Sequence, residues 1–541
     1  MSKSQYLFRR LALALFVPLG VLVITFILSR IVPGDPVLLY AGPRTLAEER
    51  DAIRAQLGLD QPLPAQFVDY VGDVLHGDLG ISLRTKRPIT DDLRLYLPTT
   101  LELVILSILL ALALGIPVGV LSAARREGVL DRAGRFFSIA GVSVPAFWLA
   151  LLLQMLFFSL LGWLPLSGRL SRGVSLFMPV EHVTGFYLID AALTGNWVGW
   201  LDATWHLVLP VIVLATYPLG LVVRMVRTAM KDNQMIESPI MTPITWRERI
   251  FGARPAKWRE PGTTLWYFRR DRLAVIGLIF LLLIVLAAIF APYLAPYPDQ
   301  GLGAPNTAQR FSPPSTQHLL GTDQLGRDVL SRLIFGARTS LVYGFAVVFI
   351  AMAVGTALGA VAGYFGGLID ELIMRITDIF LAFPPLLLAI VIASVLSRGV
   401  GAAVFALSLT WWPWYTRLVR GQALSLRERA FVRAARNIGV GDLTIVRRHI
   451  LPNVLTPVLV QGTLDLGAAI LTAAGLSFLG LGTQSPTADW GMMISEGRSY
   501  LLSGFWWIAT FAGLAIFLTT LAFNLLGDGV QVAIDPQQQG G

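Results

Sequence analysis

Ten stretches of about 20 predominantly apolar residues recur along this chain of 541 residues, and few other features leave a polypeptide so little choice of fold. In a hydrocarbon core about 30 Å thick, each backbone N–H and C=O must find its partner within the segment. A helix of about 20 residues spans that thickness and meets the demand. The stretches cover residues 11–32, 99–123, 136–161, 207–223, 273–295, 340–364, 376–396, 400–415, 454–481 and 506–526. Charged residues make up only 14% of the chain, where a soluble domain carries about a quarter. The class specified is therefore all-α, a polytopic membrane helix bundle of about ten transmembrane helices.

Charge sets an expected orientation. The first stretch follows Phe8-Arg9-Arg10, exceeds the length of a signal peptide's apolar region, and leaves through Pro33-Gly34-Asp35-Pro36, which lacks a small-residue cleavage pattern; it reads as a retained anchor. Residues 33–98 carry ten acids against seven bases, whereas 224–272 carry eleven bases against five acids, and 417–449 hold eight arginines against Glu428 and Asp442. Basic loops stay in the cytoplasm, so the alternation puts both termini there and accounts for the net charge of +9 without nucleic acid. No cysteine is present, which removes disulfides, thiol catalysis, iron–sulfur clusters and thiolate zinc from this chain.

Comparison of the chain with itself reveals a repeat. Thr100-Leu101 with Gly115 and Gly119 matches Ser340-Leu341 with Gly355 and Gly359, Leu130-Asp131 with Pro145 matches Ile369-Asp370 with Pro384, and Arg224-Met225-Val226-Arg227 matches Arg417-Leu418-Val419-Arg420. Glycines four apart in an apolar helix are the mark of close helix packing. Intramembrane Pro117, Pro145, Pro210, Pro384, Pro385 and Pro457 are expected to break or kink helices where a cavity or a neighbour satisfies the freed carbonyls, as along a transport path. The basic stretch 231–267, with Pro243, Pro255 and Pro261, reads as a linker. Three parts follow: 1–230 with four spans, the cytoplasmic linker 231–267, and 268–536 with six spans. After the fourth span the halves diverge, and only the second continues into a basic segment and two further spans.

That segment is the most informative in the chain. Glu428-Arg429-Ala430-Phe431-Val432-Arg433-Ala434-Ala435-Arg436-Asn437-Ile438-Gly439 reads as a short helix stopped at a glycine, and Arg447-Arg448-His449-Ile450-Leu451-Pro452-Asn453 as a second piece leading into the next span. It resembles the coupling-loop motif of ABC importer permeases, Glu-Ala-Ala, three residues, Gly, and later Ile-x-Leu-Pro. The matching positions are Arg433, Ala434, Ala435, Gly439, Leu451 and Pro452, with Arg433 in place of the motif's Glu and His449 in place of its Ile, Ile450 standing next to it; the resemblance assigns all of these, with Ile450, to the coupling loop. His318-Leu319-Leu320-Gly321-Thr322-Asp323-Gln324-Leu325-Gly326-Arg327-Asp328 and Leu521-Ala522-Phe523-Asn524-Leu525-Leu526-Gly527-Asp528-Gly529 resemble the C-type permease of the dipeptide, oligopeptide and nickel group. Leu97-Pro98-Thr99-Thr100-Leu101-Glu102 and Ser143-Val144-Pro145-Ala146-Phe147-Trp148 resemble its B-type partner.

The resemblance implies a fused B-type and C-type permease of the bacterial inner membrane, its first half ending before its own coupling loop. It further implies cytoplasmic ABC ATPase subunits, an extracytoplasmic solute-binding protein, another permease subunit or a second copy, and a peptide or related small solute, nickel included. No Gly-x4-Gly-Lys-Ser/Thr phosphate loop occurs; the four lysines, Lys3, Lys86, Lys231 and Lys257, have no glycine before them, so ATP must be hydrolysed elsewhere and no cofactor is expected here. His76, His182, His206, His318 and His449 show no ligand spacing. Asp465, inside the ninth span, and Pro384 and Pro385 are candidates for the path or gate. The Asp323, Arg327 and Asp328 cluster offers a cation site or part of an outer gate, but an external loop of mixed charge reads rather as a self-paired surface, with structure and not binding expected of it. The rival readings are an inactive or partner-dependent fusion remnant and an ion-gradient-driven transporter, which would place paired acids within the spans.

Overall fold

Apolar side chains on every face, with backbone groups that lipid cannot satisfy, leave helix as the regular structure open to these segments. The computed structural model describes residues 16–28, 30, 37, 46–56, 58–82, 85–124, 128–237, 266, 268–269, 271–396 and 398–534. Among them are no strands, only isolated bridges at Ile81 with Pro88 and Thr322 with Asp328. The helices used below are α1 (Ile89–Ala124), α2 (Val129–Ser143), α3 (Ala146–Leu153), α4 (Trp197–Glu237), α5 (Arg272–Ile289), α6 (Val329–Phe365), α7 (Gly367–Ala382), α8 (Pro385–Val395), α9 (Val400–Arg427), α10 (Ala430–Asn437), α11 (Leu451–Phe478), α12 (Trp490–Leu501) and α13 (Trp507–Ile534).

Six helices among the described residues are long and apolar enough to cross a membrane, and eight if each of two bent pairs is one span. The bent pairs, α2 with Ala146–Leu160 at 100° and α7 with α8 at 89°, occupy the third and seventh apolar stretches. Pro145 and Pro384 stand as the N-caps of the helices that follow each bend. A proline lacks the N–H that would continue the preceding helix, and it disfavours helical geometry at the residue before it. The other two of the ten stretches hold the shorter apolar helix Phe16–Leu28 and α9, whose Trp411-Trp412-Pro413-Trp414-Tyr415 run lowers its hydropathy. Of the expected linker, 231–237 continues α4, whereas 238–265, the Pro33-Gly34-Asp35-Pro36 motif and both termini lie outside the described residues.

Packing divides the chain into two compact units, each drawing on both repeat halves. The first comprises Met1–Leu101, Glu181–Asp190 and Ala346–Val458. Within it, Gly355, Gly359 and Gly363 press α6 onto α9: a Cβ on Gly355 would stand 2.6 Å from the Trp412 carbonyl oxygen, one on Gly359 2.6 Å from that of Thr416, and one on Gly363 2.6 Å from Cβ of Ala423. Arg420 of α9 pairs through two nitrogens with Asp370, in the first turn of α7. From the first half, Gly20 meets Ile379 of α7, and Phe26 packs on Phe67 and Tyr70 at ring distances of 5.3 and 5.8 Å.

The second unit comprises Glu102–Val180, Ala191–Phe345 and Leu459–Gly541. Gly115 and Gly119 of α1 take the side chains of Val222 and Val226 of α4. The Arg227 guanidinium holds Asp131 of α2 at 2.7 and 3.1 Å, the counterpart of the Arg420–Asp370 pair. Helices α2 and α3 lie on α13: Trp148 covers Gly513, and Asn524 Nδ2 donates to Ser143 Oγ at 2.8 Å. Gly277 of α5 faces the Ala522 carbonyl, and Trp148, Trp490, Ile494, Ile508 and Phe523 share one buried cluster.

These contacts lead to two expectations. Gly355→Val is expected to destabilise by about 1–3 kcal/mol through overpacking. Gly421→Ala, on α9 with nothing within 4 Å of an added Cβ, is expected to be neutral or to stabilise by up to about 1 kcal/mol; melting of the purified chain checks both. Because each unit draws on both halves, polypeptides 1–237 and 266–541 co-expressed separately are expected to co-purify through a tag on either one, and recovery of only the tagged piece would contradict the packing.

Candidate functional site

The arginine-rich segment folds as a hairpin. Helix α10 ends at Asn437, and Gly439 takes φ +84°, a left-handed conformation in which a side chain costs about 1–2 kcal/mol. Its N–H reaches the Arg436 carbonyl at 3.0 Å, and the Val440 N–H reaches that of Ala435 at 3.1 Å, closing the helix end. The chain returns through Asp442–Ile445 and a π-turn, Val446–Ile450, directly into α11. Pro452, near the start of α11, has no N–H to donate to a carbonyl four residues back. A widened turn immediately before it is where that mismatch is absorbed.

One face of the hairpin is rooted and the other is open. Val432, Ala435, Ile445, Val446 and Ile450 are buried, whereas Phe431, Ile438 and Leu443 are 45%, 80% and 68% exposed. Arg433, Ala434 and Gly439 are exposed as well, on the outer side with Pro452. Leu451 is half-buried and Ile450 fully so. The root includes Tyr364, in the last turn of α6. Its hydroxyl donates to Asp442 at 2.5 Å, its ring lies under the Arg436 guanidinium at 5.2 Å, and its carbonyl accepts from Arg427 at 3.4 Å. Phe431 and His449 face each other across the hairpin at 6.2 Å, and His449's carbonyl accepts from Asn453 at 2.7 Å.

Asp465 lies on α11 one turn after Gln461, whose amide donates to its carboxylate at 2.9 Å. Pro384 and Pro385 form the corner between α7 and α8, both exposed. The Asp323, Arg327 and Asp328 cluster is not a surface. Arg327 and Arg332 are buried, and Arg327 bridges Asp323 at 2.7 Å and Glu496 at 2.8 Å. Sequence distance hid this knot, because Glu496 lies far along the chain on α12. His318 is buried beside Asp328, Nδ1 at 2.9 Å, with Gln309 at 2.8 Å from Nε2, so both ring nitrogens are engaged. Asp489, the N-cap of α12, accepts from the Met492 N–H at 2.8 Å, and burial pushes its carboxyl up to about 6. Among the described residues no three His, Asp or Glu side chains gather as a metal-ligand set.

The residues that sequence reasoning passed over are the anchors. Tyr364 carries no motif, and only its place at the end of α6 brings it to the hairpin. The repeat had aligned Asp131 with Asp370 and Arg227 with Arg420, but the pairing of acid with arginine across two helices emerges only in three dimensions.

Comparison with known proteins agrees with this geometry along most of the chain. Residues 115–234 and again 355–539 match the binding-protein-dependent transport system inner membrane component family. Residues 3–104 match the N-terminal part of a binding-protein-dependent transport system membrane component, and 262–314 the N-terminal transmembrane domain of oligopeptide transport permease C. The dipeptide transport system permease protein DppC of Alkalihalophilus pseudofirmus is 44% identical over 282 residues, 52% of this chain and 90% of that protein. The glutathione transport system permease protein GsiD of Escherichia coli O157:H7 is 44% identical over 288 residues, 53% of this chain and 94% of that protein. With two permease-family regions on one helical membrane chain, this polypeptide belongs to the binding-protein-dependent ABC importer permeases of the inner membrane, transport components rather than enzymes.

Proposed function

We propose that the chain carries short peptides across the membrane and that the hairpin 428–452 is the lever through which ATPase subunits drive it. Relatives named for dipeptide and for glutathione transport support a peptide as solute. The observation that carries the lever is its two-faced build: a buried apolar underside and three exposed apolar side chains, Phe431, Ile438 and Leu443, ringed by arginines. Such a knob fits an apolar groove with an acidic rim on a partner. The family supplies ATPases and a solute-binding protein as partners in general; here Arg433, Ala434 and Gly439 form the contact, and Ile450, Leu451 and Pro452 the return arm. Residues 1–230 hold the incomplete B-type half and 268–536 the complete C-type half, so a further permease subunit or a second copy furnishes the missing lever and spans.

Closure of the ATPases pushes the hairpin. Through Tyr364 the push reaches α6, and through the glycine contacts α9, so these helices move together as one body. The right-angled corner at Pro384 and Pro385 is where α8 changes direction against α7, and Asp465 lies on α11, which continues from the hairpin itself.

Ala434→Glu is expected to abolish co-purification of the ATPase subunits and uptake while leaving insertion intact. Insertion is checked with a single cysteine at Gly441 in this otherwise cysteine-free chain, labelled only from the cytoplasmic side; labelling from outside would overturn the assigned orientation. Tyr364→Phe keeps the ring under Arg436 but removes the hydrogen bond to Asp442. It is expected to lower transport about tenfold per ATP hydrolysed with ATPase binding unchanged, measured in proteoliposomes.

A further inference from the structure

Four helices of the second compact unit, α2, α4, α5 and α13, close around a cavity of about 440 Å³. Its charged lining comes from Arg135 of α2, Arg224 and Arg227 of α4, Asp271 at the N-cap of α5 and Asp528 of α13, with the Gln531 amide of α13 beside them. Arg227 is already neutralised, since Asp131 accepts two of its N–H groups and a further hydrogen bond from Ser122 at 2.9 Å. Two cations and two anions remain. Arg224 meets Asp528 at 2.6 Å, with nearly half of its side chain exposed. Arg135 stands 3.6 Å from Asp271, outside hydrogen-bond distance, and Asp271 uses its other oxygen to cap α5 through the Leu273 and Ala274 N–H groups at 3.0 and 3.3 Å.

The rim is therefore balanced in charge but divided in sign. A simple anion entering it meets two carboxylates, and a simple cation meets the arginines. Only a molecule carrying both signs a few bonds apart gains from both. The volume falls in the range of small-molecule sites, about 300–1,000 Å³. We propose that this cavity binds a zwitterion, with Arg135 and Arg224 holding its oxyanion and Asp271 and Asp528 its ammonium. That chemistry has two sources beside membrane helices: a free peptide, and the head group of an ethanolamine phospholipid. The assignment stands on the lining of the cavity and does not depend on the coupling role of the hairpin.

The test measures binding to the purified full chain. Dialanine is titrated beside N-acetyl-dialanine, which lacks the ammonium, and dialanine amide, which lacks the carboxylate. In a second arm, phosphatidylethanolamine retention by the delipidated protein is compared by native mass spectrometry with that of phosphatidylcholine, whose ammonium has no N–H, and phosphatidylglycerol, which has no ammonium. The expected result is that one zwitterion binds at least about tenfold more tightly than its capped or methylated analogues. Preference for dialanine assigns the site to peptide, and preference for phosphatidylethanolamine assigns it to lipid. Gln531→Trp, which fills the cavity and leaves the ion pairs in place, is expected to abolish that binding at an unchanged melting temperature. Arg135→Ala, whose partner makes no hydrogen bond to it, gives a second measurement should the tryptophan disturb folding. Binding of neither zwitterion, equal binding of the analogues, or binding that survives both substitutions would overturn the proposal.

Discussion

Helices in a bilayer gain nothing from hiding apolar surface from one another, because the lipid chains are as apolar as leucine. What holds them is contact close enough for dispersion to act over many atoms. Here that closeness comes from glycines four residues apart, and it occurs twice: α6 against α9, and α1 against α4. Either stripe, given side chains, would have to separate or shift its helices. These two seams position both sites, because α9 leads into the hairpin and α4 carries Arg224 and Arg227 of the charged cavity.

The charged pairs act on top of that packing. Asp131 with Arg227 and Asp370 with Arg420 occupy matching places in the repeat, each tying the first turn of an amphipathic helix to the end of a long span. A lone carboxylate there would carry a desolvation penalty of several kcal/mol, and a bidentate guanidinium offsets it while fixing the angle between helices. Within the second unit, the knot of Arg327, Arg332, Asp323 and Glu496 holds the loop before α6 to α12.

Much of this was legible in the sequence, for identifiable reasons. Apolar runs of the right length announced the spans, and prolines 145 and 384 announced the bends, because both signals act over a few neighbouring residues. Gly439 was readable as a helix stop since only glycine takes φ +84° without strain. The motif marked the hairpin's own residues, but not the anchor beneath it: Tyr364 is 78 residues from Asp442, and no local pattern links them. The same holds for Arg327 with Glu496, where a cluster that read as exposed proved buried, and for the interleaving of the halves, which periodicity within a segment cannot encode.

That interleaving bears on how the protein is made. Helices α2 and α3 leave the ribosome early, yet the surface of α13 that covers them is synthesised about 360 residues later. At about 5–20 residues per second, roughly 20–70 s pass before Trp148 finds Gly513. Through that interval the nascent amino-terminal spans wait in lipid with the Ser143 hydroxyl still without its Asn524 donor. Synthesis as one continuous polypeptide keeps the late-arriving helix tethered beside them, where two separate messages would leave the meeting to diffusion.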